Sequence, residues 1–320
     1  MKAKIVSIAG DASYRKFYRI FLNKKSRIII YAKKDKYQNL VAYIAVNNFL
    51  RKNKILAPKL YNHNLSKGFI TIEDFGDLSL YEVLRKKKNK LKTYKEVVDL
   101  LIKLQKITPP KKIESTKNKP FLLKKYSFKL LHKESDLFFQ WYLPLFFKKK
   151  KILKIKKNIK KILSRLYKKL NFKNSYFVHR DYHVQNLMMI RKNIGVIDSQ
   201  DAVVGNPAYD LVSLVDDVRI RTSKSLKNQI YQYYVKKSAL INKKNENFFF
   251  EDFNILSIQR SLKIIGIFSR LFSRDKKSKY LKLIPYTWKL LEMRMNYENF
   301  SDLKFFLDKN INKKIRNQTF

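Results

Sequence analysis

Three side chains suited to one reaction stand close together in a single stretch of the sequence. His179-Arg180-Asp181 opens it, Asn186 follows, and a second aspartate, Asp198, ends the apolar run Gly195-Val196-Ile197. A carboxylate at 181 can orient an attacking hydroxyl and accept its proton. An amide oxygen at 186 and a carboxylate at 198 are hard donors that can hold Mg²⁺ against nucleotide phosphates. Phosphoryl transfer needs these groups and little more, because its catalysis is mostly positioning and charge stabilisation. Asp181 is the candidate base, Asn186 and Asp198 are candidate metal ligands, and ATP and Mg²⁺ are the expected cofactors.

Such a site needs elements to deliver it. Tyr176-Phe177-Val178 reads as a short buried strand leading into the loop. Leu187 to Ile190 and Gly195 to Ile197 read as a hairpin, turned by Arg191-Lys192-Asn193 with Gly195 at its exit. The hairpin returns Asp198 to the mouth of the loop, so that Asn186 and Asp198 can share one ion.

The beginning of the chain reads as a sheet: strands at 5–8, 14–21 and 28–32, a helix at 37–52, then two more strands around Leu60 and at 69–72. Ala9-Gly10-Asp11-Ala12-Ser13 is a small-residue turn whose N–H groups and Ser13 hydroxyl can face phosphate oxygens. Lys33 or Lys34, closing the third strand, can meet the α- and β-phosphates. Glu73-Asp74-Phe75-Gly76-Asp77 reads as a hinge to the adenine edge, which adds Glu73 to the cofactor candidates and sets the lobe boundary near residue 77. Residues 78–320 read as mainly helical. Helices are expected at 79–86 and 94–106, a polar connector at 108–120, aromatic-rich helix over 122–147 broken near Pro144, and further helices at about 148–173, 224–241, 251–273 and 279–297, with the final residues fraying.

Composition bounds the rest. A chain of 320 residues, 45% hydrophobic, can bury two sizeable cores. It has no cysteine, which excludes disulfides, zinc–thiolate sites and thiol nucleophiles. The N-terminus lacks a signal-like apolar region, so a cytoplasmic protein without a membrane span is expected. Net charge is +47, with twelve lysines and no acid in residues 148–173. A polyanion-binding surface is one explanation. AT-rich codon usage is the other and the preferred one, since Lys, Asn and Ile abound while glycine occurs only 6 times.

These blocks carry a resemblance. H-R-D-Y-H-x-Q-N-L-M, G-V-I-D-x-Q-D-A and Y-D-L-x-S-L resemble the aminoglycoside-phosphotransferase/choline-kinase superfamily. Residues 10–17, 73–77 and 259–270 are similar to its anomeric N-acetylmuramate/N-acetylglucosamine kinases of peptidoglycan recycling. The resemblance spans about residues 5–295. It implies a two-lobed, protein-kinase-like α+β fold, with a small N-terminal antiparallel sheet lobe carrying one helix (1–77) and a larger, mainly helical lobe (78–320). It implies ATP-dependent phosphorylation of an amino sugar's anomeric hydroxyl. Ser13, Arg15, Lys33 and Glu73 then fall on the cofactor side, and Asp201, His183 and Arg260 on the substrate side. A monomer acting on a small sugar, with no specific nucleic-acid partner, is the implied state. Two positions depart from the subgroup: Ser199 stands where Phe is usual, and Tyr31-Ala32-Lys33-Lys34 replaces an Asp-Ala-Pro-Pro type sequence. Another hydroxyl acceptor, or an inactive polyanion-binding relative, is the alternative.

Overall fold

The computed structural model describes residues 4–8, 15–22, 25–33, 38–115 and 120–318. Packing divides the chain into two compact units. One joins residues 1–125 to 175–204; the other joins 126–174 to 205–320. The sheet lobe expected to end at residue 77 lies within the first unit.

That unit begins with β1 (Lys4–Ile8), β2 (Lys16–Leu22), β3 (Lys25–Tyr31), α1 (Gln38–Lys52), β4 (Leu60–Asn64) and β5 (Phe69–Glu73). The five strands form one antiparallel sheet in the order β1-β2-β3-β5-β4. β-branched and aromatic residues dominate β3 and β5, and alternate residues of β5 turn inward, as a half-buried strand requires. Ile30, Ile70 and Ile72 meet Leu40, Tyr43 and Ile44 of α1 in the core of this sheet. At Gly68 a left-handed φ of +74° and a carbonyl, Ala32 O, only 2.3 Å from an ideal Cβ position exclude a side chain.

The unit continues through α2 (Leu80–Lys86), capped by Ser79, and α3 (Leu91–Gln105). A short pairing of β6 (Lys112–Ile113) with β7 (Phe121–Leu122) replaces the irregular connector expected there, and it removes Leu122 from the helix expected to begin with it. The later segment adds β8 (Tyr176–Val178), β9 (Leu187–Ile190), β10 (Asn193–Val196) and β11 (Val203–Gly205). β9 and β10 pair as the expected hairpin, but the turn is only Arg191-Lys192, with Arg191 at φ +55°. Gly195 is inside β10 rather than at the turn exit. An added Cβ there would come within 2.6 Å of the Phe75 ring, so the small residue serves packing.

The second unit is helical: α4 (Phe128–Leu137), α5 (Lys149–Lys168), α6 (Ala208–Val215), α7 (Lys224–Lys237), α8 (Glu246–Ser273), α9 (Ile284–Arg294), α10 (Ser301–Asn310) and α11 (Lys313–Asn317). After α4 the chain widens into a π turn at Phe138–Tyr142 and then a 3₁₀ turn at Leu143–Leu145, where Pro144 cannot donate to the ladder. α5 buries Ile155, Ile159, Leu163 and Leu166 along one stripe and leaves most of its lysines outside.

The C-terminal residues do not fray as expected. Arg316 is buried, pairs with Glu292 at 2.7 Å and Asp308 at 2.8 Å, and stands over the Trp288 ring. Tyr142 donates to the Ile315 carbonyl and accepts from Trp288 Nε1. The Asn- and Lys-rich composition suggested exposure; a few apolar and arginine anchors decided otherwise.

Gly266 sits mid-helix in α8 with the backbone of Leu137 and Phe138 only 2.3–2.5 Å from an ideal Cβ position. Ala at this position gains about 1 kcal/mol of helix propensity but must push two backbones apart, a conflict that commonly costs about 1–3 kcal/mol. Urea unfolding of Gly266→Ala should therefore show net destabilisation; a midpoint raised above that of the parent protein would contradict this packing.

Candidate active site

β8 leads into the loop at His179. Asp181 lies in a turn wrapped around its own carbonyl, which accepts from His183 N at 2.9 Å and from Asn186 Nδ2 at 3.0 Å. A single 3₁₀ turn, Val184–Asn186, then passes the chain to β9. The hairpin returns through Ile197, whose N–H donates to the Asn186 carbonyl at 3.0 Å. The Ile197 carbonyl in turn accepts from His179 Nε2 at 3.1 Å. Both ends of the 179–186 loop therefore hold the residue that immediately precedes Asp198.

Two residues of this loop system adopt left-handed backbone: Arg180 at φ +72° and Asp198 at φ +65°. Aspartate tolerates that region, but arginine does so at a cost. Arg180 recovers some of it by donating from Nη1 to the Asp201 carbonyl at 3.0 Å. Tyr182, fully buried, donates to the Val97 carbonyl of α3 at 2.9 Å and anchors the loop to a helix. His179 is also fully buried. Burial, the largest effect, holds its imidazole below the usual histidine pKa, although Asp181 and Asp198 pull the other way.

Asp198 has a buried partner that its spacing did not reveal. Arg15 Nη2 donates to Asp198 Oδ1 at 2.6 Å, and Nη1 donates to Gln200 Oε1 at 3.0 Å. Burial works against the Arg15 charge, but Asp198 more than offsets it. Gln200 Nε2 passes the network on to Asp201 Oδ2 at 3.1 Å. From behind, α1 supplies Asn47, which accepts from the buried Ser199 hydroxyl at 3.0 Å. The departure at 199 thus comes with a polar partner on the packing helix.

The donor set fits Mg²⁺. Asn186 turns Nδ2 inward to the loop, leaving Oδ1 as the other amide atom, and Arg15 holds Asp198 through Oδ1, leaving Oδ2. These are hard oxygens, and about a third of the Asp198 side chain is exposed (32%). Among the described residues no group of three or more His, Cys, Asp or Glu could hold a metal. Magnesium does not need one, since it usually takes one or two protein oxygens and completes its shell with phosphate and water.

The other expected site residues are placed as follows. Ser13 and Lys34 lie outside the described residues. Lys33 is exposed at the end of β3. Arg15, expected on the nucleotide, is seated on Asp198. The Glu73 carboxylate accepts from Lys59 N at 3.0 Å and lies 3.7 Å from Arg51, so its side chain ties β4 and α1 together. His183, expected on the substrate side, is buried with Nε2 3.4 Å from the Asn186 amide nitrogen. Asp201 is half exposed. Arg260 is buried in α8 of the second unit.

Residues 73–77 hold one more arrangement that pattern reading missed. Arg19 of β2 pairs with Asp74 at 2.6 Å and with Asp77 at 2.8 Å. Burial disfavours the charged Asp74 carboxylate, but bonds from Arg19, Ser26 and the Gly76 N–H prevail and hold its pKa below the usual range. Asn47 was the better clue that could have been read in advance: it is a polar residue within the apolar face of an amphipathic helix.

The family model described as "Phosphotransferase enzyme family" matches residues 4–239. The chain is 28% identical over 294 residues to an N-acetylmuramate/N-acetylglucosamine kinase of Pseudomonas aeruginosa, covering 91% of this chain and 83% of that protein. It is 26% identical over 284 residues to the Neisseria meningitidis protein of the same name, covering 87% and 81%. Among solved structures, the ADP-bound aminoglycoside phosphotransferase APH(2'')-Ib has a TM-score of 0.59 at 12% identity, with 93% and 94% of the two chains covered. The two-lobed, protein-kinase-like α+β fold is thereby established.

His179 supplies a pH prediction. Its folded pKa lies below its unfolded value of about 6.5, so the unfolded chain binds the proton more readily. Stability is therefore full above about pH 6.5 and falls as the pH drops from there toward the folded pKa. Histidine NMR should place the His179 midpoint below 6.5, and His179→Gln should flatten this part of the stability–pH curve; a midpoint above 6.5 would contradict the neutral, buried role.

Proposed function

Because the chain belongs to the phosphotransferase enzyme family, we propose that it transfers the γ-phosphoryl group of ATP to the anomeric hydroxyl of N-acetylmuramate or N-acetylglucosamine. The chain is an ATP-dependent kinase acting on a hydroxyl; the acceptor and the residue roles are the proposal. The observation that carries it is the double tie of Ile197 to His179 and Asn186, which joins the Asp181 loop to Asp198.

Asp181 orients the anomeric hydroxyl and accepts its proton as the new oxygen–phosphorus bond forms. The bond from the γ-phosphorus to its bridging oxygen breaks, and ADP leaves with the electron pair. Asn186 Oδ1 and Asp198 would hold Mg²⁺, which when bound neutralises charge on the phosphate oxygens. Arg15 fixes the Asp198 carboxylate, and Tyr182 and His179 keep the loop from relaxing. Residues 1–77 form the nucleotide-binding lobe, with Lys33 and the Ser13 segment toward the phosphates and the Glu73 backbone toward the adenine. Asp201 belongs to the sugar side. The acceptor is a small sugar, and the protein acts as a cytoplasmic monomer. Among the described residues no helix is long and apolar enough to cross a membrane.

An acceptor screen with labelled ATP should give acid-labile sugar 1-phosphates from N-acetylmuramate and N-acetylglucosamine. Failure of both sugars alongside turnover of choline or an aminoglycoside would sink the assignment of acceptor. Asp181→Asn should lower turnover by about 10²–10⁴-fold with nucleotide affinity retained. Asp198→Ala should weaken Mg·ATP binding measured by calorimetry, and unchanged affinity would remove Asp198 from the metal site.

A further inference from the structure

The stretch 175–204, which carries Asp181, Asn186 and Asp198, is entered from α5 and left into α6. One carboxylate holds both passages. Asp252 of α8 is wholly buried. Its Oδ1 accepts from Asn171 N at 2.8 Å and from Asn171 Nδ2 at 3.2 Å. Its Oδ2 accepts from Phe172 N at 2.8 Å and from Asn206 Nδ2 at 2.6 Å. Asn206, also buried, closes the arrangement. It donates a second time, to the Phe172 carbonyl at 3.2 Å, and its Oδ1 accepts from Ala208 N at 3.0 Å. Asn171, Phe172, Asn206 and Asp252 all belong to the helical unit.

Residues 171–175 form neither helix nor strand and are mostly exposed, so their course depends on such anchors. Two lesser ones are present: the Phe172 ring meets Phe249 edge-on, and Asn174 Nδ2 donates to the Tyr126 carbonyl at 3.0 Å. Among the described residues Asp252 has no cation in ion-pair reach, only neutral donors. Burial, the largest effect, keeps its pKa above the usual aspartate value although the four bonds pull it down. An apolar side chain would fill the same space at less cost. A carboxylate, however, can accept from two chain segments at once.

We propose that Asp252 is a positioning residue for phosphoryl transfer. With Asn206 it staples the incoming and outgoing passages together at the root of β8 and β11, which pair with each other. The proposal rests on the residue roles given above for Asp181, Asn186 and Asp198. Asp252 acts through the backbone at 171–172 and through Asn206. A base displaced by about 1 Å can lose about 10²-fold in rate. Asp198 keeps its own supports in Arg15 and in the Ser199–Asn47 bond, so nucleotide binding does not depend on the staple.

Kinetics, calorimetry and hydrogen exchange on the full chain test this. Asp252→Asn turns one acceptor oxygen into a donor. Asn206→Ser is the milder variant: it removes the bridging amide but keeps an oxygen beside Ala208 N, and it decides the matter if Asp252→Asn does not fold. Each should lower kcat by about tenfold or more while Mg·ATP affinity changes by less than about threefold. Amides of β8 and β11 should exchange faster, while those of α9 keep their protection. Unchanged kcat, or protection lost equally from β8, β11 and α9, would overturn the proposal, since a merely structural role loosens the whole unit. Failure of the residue roles above gives a different result: full activity in Asp181→Asn.

Discussion

The backbone of one residue, Ile197, holds the candidate site together. Ile197 donates to the Asn186 carbonyl and accepts from the His179 ring, so both ends of the loop that carries Asp181 are pinned to the residue before Asp198. Buried backbone groups must find partners, and here the partners they find set the chemistry. If either bond were released, Asp198 could rotate away from Asn186 although every side chain remained present. The left-handed backbone at Arg180 and Asp198 is the strain that this arrangement carries.

The remaining interactions of the first unit support that residue. Tyr182 ties the loop to α3, Ser199 ties the turn after Asp198 to α1, and Arg15, just before β2, reaches Asp198. Arg15 is a cation on a carboxylate expected to meet a second cation. Arg15 donates to Oδ1 and also to Gln200. Such fixed dipoles and charges are what electrostatic preorganisation requires. Asp201 and Arg180 extend the same polar chain away from Asp198.

Much of this was legible in the residues. The order of strands and the α1 helix follow from apolar periodicity, and the β9–β10 hairpin from a short polar turn between two apolar runs. Long-range pairings were not legible. Arg15 and Asp198 are 183 positions apart, and Asn47 and Ser199 are 152 apart, so local pattern carries no information about either contact. The extent of the turn at Arg191 was misjudged because Asn193 is a common turn residue, yet cross-strand pairing with Ile190 draws it into β10. The C-terminal helices were missed because lysine and asparagine dominate their composition; Leu303, Leu307, Ile311 and Arg316 are the residues that bury. Asn47, by contrast, could have been recognised from its polarity among buried neighbours.

The account depends on Asn186 and Asp198 meeting one divalent ion while Asp181 faces the acceptor. A crystal structure with Mg²⁺, a non-hydrolysable ATP analogue and N-acetylmuramate measures this directly. The predicted result is a single shared ion about 2.1 Å from Asn186 Oδ1 and from an Asp198 oxygen, with the sugar's anomeric hydroxyl hydrogen-bonded to the Asp181 carboxylate. Magnesium coordinated without either side chain, or an Asp181 carboxylate turned away from the sugar, would contradict it.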